Sequence, residues 1–208
     1  TLAREYATNP KSILPWYYRT TKFMLFMGLP MALGGTLLAD KIIRLLFGSE
    51  YAPAAVAFAI LIWDTPLLMY TALCGNLMTS IKKERYSVGI YVSLSLLNFI
   101  LNLIFIPQYG IIAASIMTVT AEATGAILFY RFFRREFGSG LGAKYILRLM
   151  LAAALMGVMV YLLRDYHLLI NVGISAIFYL IVVWYIGAFS HEERALITGL
   201  VKRKLLRR

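Results

Sequence analysis

The sequence predicts an all-α integral membrane protein with six transmembrane helices, and three observations lead there. The first is composition: 61% of the 208 residues are apolar and only 15% charged, with a mean hydropathy of +0.74. A soluble domain is about 45–50% apolar and about 25% charged. The second is blocking, because the apolar residues fall into runs near the roughly 20 residues needed to cross a bilayer. The third is the alternation of basic charge between successive loops.

The spans follow in order. Residues 1–22 read as a cytoplasmic connection ending in an interfacial helix, with Ile13, Leu14, Trp16, Tyr17 and Tyr18 in the headgroup layer and Arg19 and Lys22 in water. Span 1 covers Phe23–Phe47 and holds "GLPMALGG", where Pro30 removes a helix donor and predicts a kink. The turn "FGSEYAP" leads to span 2, Ala54–Ser80, and a short basic loop to span 3, Tyr86–Ile106. Pro-Gln-Tyr-Gly then separates span 3 from span 4, Ile111–Tyr130. "FGSGLG" in residues 137–144 reads as a linker between the four-helix part, residues 23–136, and a peripheral pair within residues 145–190. That pair is Tyr145–Leu163 and Leu168–Phe189, and a basic tail, residues 191–208, closes the chain. A soluble bundle would lack the polar surface to cover six such blocks. A β-barrel would show shorter alternating segments.

Of the 21 basic residues, all but Lys41, Arg44 and Arg164 fall on one side of this topology. Basic residues are retained in the cytoplasm, so both ends of the chain are expected there, in a cell-membrane protein. The net charge of +11 therefore reads as attraction to anionic lipid rather than to nucleic acid. Cys74 has no second cysteine to pair with. The start, Thr-Leu-Ala-Arg, shows no methionine or signal pattern and is read as following a missing upstream part.

Polar residues inside the spans mark the candidate site. Asp64 and Glu122 would each cost about 2.5–3.5 kcal/mol at a lipid-exposed helix centre, so both are expected to face the bundle interior or a water-filled cavity. A carboxyl group so placed can exchange a proton or bind a cation, or simply bond a neighbouring helix. Ser115, Thr118, Glu122 and Gly125 share one face of span 4, and Asp64, Thr71 and Gly75 a similar stripe on span 2, with Asn76 near its inner end. Asn98 and Asn102 lie four apart on one face of span 3. They read either as glue between helices or as cavity lining.

No Walker A motif, nucleotide loop, HExxH, CxxC or nucleophile elbow occurs. His167 and His191 fall at opposite membrane surfaces, so they cannot share a metal. The chain is not expected to be an enzyme or to hold a cofactor beyond a coupling H+ or Na+.

"LNFILNLIFIPQYGIIAASIMTVTAEATG", with "GLPMALGGTLLADKIIRLLFGSEYAPAAVAFAIL" and "GNLMTSIKKERY", resembles the polysaccharide-export flippases. These are the O-antigen and lipid-linked-oligosaccharide translocases of the multidrug/oligosaccharidyl-lipid/polysaccharide superfamily. The resemblance covers roughly residues 20–135 and implies the C-terminal portion of a 14-helix transporter fold, spans 9–14. It implies that a lipid-linked sugar crosses from the inner to the outer leaflet, driven by an ion or the membrane potential. The partners it implies are membrane lipids, the missing N-terminal lobe and polysaccharide-assembly proteins. Asp64 and Glu122 become coupling candidates, while Asn98, Asn102, Thr118 and Asn76 become cavity candidates. The rival readings are a cation-coupled multidrug exporter of the same superfamily, a membrane enzyme and a membrane scaffold.

Overall fold

A computed structural model describes residues 13–138 and 142–187. The first twelve residues, the middle of the expected linker and the basic tail lie outside the described residues. The helices are α1 (Ile13–Leu37), α2 (Ala39–Phe47), α3 (Ala54–Leu61), α4 (Asp64–Ser80), α5 (Glu84–Phe137), α6 (Ala143–Leu162) and α7 (Leu168–Ile186), with a 3-10 turn at Ser49–Tyr51.

α5 is two spans rather than one. At about 1.5 Å per residue, 54 helical residues would greatly exceed a bilayer of about 30 Å. Gly110, with φ 58° and ψ −139°, breaks the helix, a conformation open almost only to glycine. Beyond it the chain returns antiparallel. Tyr91 lies 5.6 Å from Phe129, Tyr86 lies 4.9 Å from Phe132, and Leu94 fills the space beside Gly125. The Pro-Gln-Tyr-Gly segment is thus the tip of a helical hairpin. With the bent α1–α2 pair, the α3–α4 span and α6 and α7, this gives six apolar crossings.

Span 2 is interrupted at Ile62 and Trp63, four and three residues before Pro66, where a proline ring disturbs the preceding turn. The indole N–H of Trp63 donates to Thr36 Oγ1 at 3.0 Å, and that hydroxyl lies 2.9 Å from the carbonyls of both Ala32 and Ala59. Gly28 lets α1 lie directly on Pro66.

Span 1 departs from expectation in two ways. Ile13 and Tyr17 are buried against neighbouring helices, and α1 runs from Ile13 as one helix. Tyr17 stacks on Phe133 at 4.6 Å, and its hydroxyl bonds that of Tyr70 at 2.8 Å. The large bend, 77°, falls at Leu38 rather than at Pro30. Asp40, Lys41 and Arg44 follow it. α2 is therefore an amphipathic piece suited to the interface, not a continuation through hydrocarbon.

Two large apolar cores result, beside a small one around Ala39, Ile43 and Ala55. One joins the start of α1 to α4 and the hairpin through Ile13, Tyr17, Cys74, Met78, Phe129 and Phe133. The other joins the later half of α1 to α6 and α7 through Phe26, Leu149, Ala152, Met156, Tyr179 and Val183. Polar contacts keep the expected loop groups together. Lys83 pairs with Glu136 at 2.7 Å, Tyr145 donates to the Lys22 carbonyl at 3.1 Å, and Arg148 donates to the Gly187 carbonyl at 2.7 Å. At the opposite end Lys41 donates to the carbonyls of Arg164 and Tyr166.

Candidate functional site

Between the two limbs of the α5 hairpin lies a cavity of about 430 Å³. Tyr91, Ser95, Asn98 and Asn102 line it from the first limb, and Thr118, Ala121 and Glu122 from the second. Helical geometry explains the first wall, because positions 91, 95, 98 and 102 recur at three- and four-residue steps. Gly125, one turn beyond Glu122, holds the limbs close by admitting Leu94.

Glu122 does not face lipid unpaired. The Thr71 hydroxyl, on α4 and fully buried, donates to Glu122 Oε1. The Tyr91 hydroxyl donates to the Thr71 carbonyl at 2.8 Å and sits over Gly75, where a Cβ would collide with it. One residue of α4 is therefore bonded by both limbs of the hairpin. Thr71 Oγ1 also lies 3.2 Å from the Leu68 carbonyl. The hydroxyl can donate to an ionised Glu122, or accept from a protonated one while donating to Leu68. The carboxyl keeps a partner in either state.

The asparagines bond each other rather than a neighbouring helix. Asn102 Nδ2 donates to Asn98 Oδ1 at 2.7 Å, leaving Asn102 Oδ1 buried with no partner among the described residues. Asp64 occupies the first turn of α4 and is outside the cavity wall. Its Oδ1 is likewise buried and unpartnered among the described residues. Asn76 is exposed and apart from the cavity. The structure thus gathers Glu122, Asn98, Asn102 and Thr118, and leaves Asp64 and Asn76 outside. Tyr91 and Ser95 are polar wall residues that sequence reasoning missed, although their seven- and three-residue spacing from Asn98 marks them. Among the described residues no group of three or more His, Cys, Asp or Glu could hold a metal ion.

A second cavity, about 470 Å³, lies between α1, α3, α6 and α7 and is walled almost entirely by apolar side chains. Its only hydroxyls are those of Ser175 and Tyr179.

With this geometry in place, comparison with known proteins shows what the chain resembles. The MatE family model matches residues 4–104. The whole helical arrangement is similar to a solved lipid II flippase MurJ in an inward closed conformation, with a TM-score of 0.79 over 94% of this chain. Over residues 4–104 the chain is similar to the MatE family, and its fold is that of the MurJ structure. Sequence identity to the MurJ structure is 21%, and the match covers 42% of it. Two curated proteins match part of the chain. "Uncharacterized membrane protein MJ1068" of Methanocaldococcus jannaschii is 31% identical over 97 residues, 47% of this chain and 19% of its own. "Probable low-salt glycan biosynthesis flippase Agl15" of Haloferax volcanii is 26% identical over 104 residues, 50% of this chain and 22% of its own. The matched segments thus span about a fifth of these curated relatives. The chain is a multi-pass membrane protein.

Proposed function

We propose that the chain forms part of a flippase that moves a lipid-linked oligosaccharide across the cytoplasmic membrane, with both described ends on the cytoplasmic side. The observation that carries this reading is the hairpin cavity, a polar recess within helices otherwise suited to hydrocarbon. Asn98, Asn102 and Thr118 offer amide and hydroxyl groups, the chemistry that sugar hydroxyls match. The lipid tail stays in the bilayer while the head group crosses. Names of relatives support the direction, since one is a probable glycan biosynthesis flippase and one a lipid II flippase.

Transport of this kind draws on an ion or the membrane potential, about 2.3 kcal/mol per charge per 100 mV. Glu122 is the coupling residue in this reading, because it is a carboxyl group that lines the cavity and is held by Thr71. Asp64 is the second candidate, with its Oδ1 buried and unpartnered among the described residues. The wide apolar cavity favours one alternative, a cation-coupled multidrug exporter.

The test is deletion of the full-length gene, followed by joint measurement of lipid-linked sugar precursors, surface glycan and drug sensitivity. Precursor accumulation with falling surface glycan is expected. Unchanged precursors and glycan with heightened drug sensitivity would replace the flippase reading with the exporter.

A further inference from the structure

We propose that Tyr179 is a positioning residue for span 1: its hydroxyl replaces the backbone N–H that Pro30 lacks, and so pins the peripheral helix pair to α1. In an α-helix the carbonyl of one residue accepts from the N–H four residues on. For Phe26 that residue is Pro30, which has none. A freed carbonyl inside a membrane needs another donor. The Tyr179 hydroxyl supplies it from 153 residues away, donating to the Phe26 carbonyl at 2.9 Å. The ring of Phe26 stacks on that of Tyr179 at 5.5 Å, which fixes the direction of the hydroxyl.

No other side chain around the cavity can take this part. The remaining hydroxyl there, Ser175, donates to Asn171 Oδ1 at 3.1 Å. Pro66 shows the contrasting local solution, where the carbonyl it frees, that of Ile62, accepts from the Thr65 N–H at 3.2 Å. Tyr145 gives the internal control. It too donates to a carbonyl of α1, that of Lys22 at 3.1 Å, but the helical partner of Lys22 is Phe26, which has its own N–H. The packing of α6 and α7 on the rest of the protein runs mainly through α1. The hydroxyl therefore couples the tilt of span 1 to the pair.

The test uses the full-length transporter purified in detergent, with thermal midpoints for wild type, Tyr179→Phe, Pro30→Ala, the double variant and Tyr145→Phe. Tyr179→Phe is expected to lower the midpoint by several degrees in the native background. It should lower it little beside Pro30→Ala, whose restored N–H reaches the Phe26 carbonyl. Tyr145→Phe should cost clearly less than Tyr179→Phe. Equal loss from Tyr179→Phe in both backgrounds would overturn the proposal. If Pro30→Ala does not fold, the two tyrosine variants decide: equal losses would overturn the proposal, and a larger loss for Tyr179→Phe would support it.

Discussion

Replacing Gly28 with alanine adds one methyl group at the crossing of α1 and α4. An ideal Cβ there would lie 2.7 Å from Pro66 Cβ and 3.0 Å from Pro66 Cα. The first distance falls well short of the 3.4 Å at which ordinary van der Waals contact begins. Neither neighbour can swing away, because one is backbone and the other belongs to a closed ring. The helices must separate, at an overpacking cost of about 1–3 kcal/mol. Alanine recovers up to about 1 kcal/mol of helix propensity. With that recovery in full, the net expectation is a loss of up to roughly 2 kcal/mol. Gly89→Ala is the matched control, since it is helical and has nothing within 4 Å of the added carbon. Thermal unfolding of the full-length protein in detergent should rank Gly28→Ala below wild type and Gly89→Ala at or above it. A Gly28→Ala protein as stable as Gly89→Ala would refute the close crossing of α1 on Pro66.

Glu122→Gln keeps the size and the bond to Thr71 but removes the exchangeable charge. Membrane abundance should be normal while export of the lipid-linked sugar collapses; normal export would remove Glu122 from the mechanism. Gly110→Ala forces a side chain into a backbone conformation suited to glycine, with φ 58° and ψ −139°. It should cost about 1–3 kcal/mol, read as a lower thermal midpoint, and an unchanged midpoint would contradict the hairpin tip.

Features that depend on a single helix were legible in the sequence. The length of each apolar block located the crossings, and Pro-Gln-Tyr-Gly located the hairpin tip. Three- and four-residue spacing placed Asn98 with Asn102 and Thr118 with Glu122, which share one cavity. Features that depend on how helices cross were hidden. The bond from Thr71 to Glu122 requires α4 to meet the hairpin at one particular height. The burial of Ile13 and Tyr17 requires Phe133 and Tyr70 beside them, and aromatic residues next to Arg19 read equally well as an interfacial layer. Asn171 was passed over within an apolar span. It is fully buried and donates to the Val160 carbonyl at 2.9 Å, tying α7 to α6. The bend at Leu38 reflects charge on the following turn, which outweighed the proline eight residues earlier.

The place of α1 between two cores has a consequence for biogenesis. One flank of α1 meets α4 and the hairpin, whereas the other meets helices made last. Synthesis proceeds at about 5–20 residues per second, and 153 residues separate Phe26 from Tyr179. Span 1 therefore stands for roughly 8–30 s before the helix pair that packs against one of its flanks has been made. The final helix pair completes an early span, so truncation before Tyr179 would leave that span, rather than the chain end, as the first point of failure.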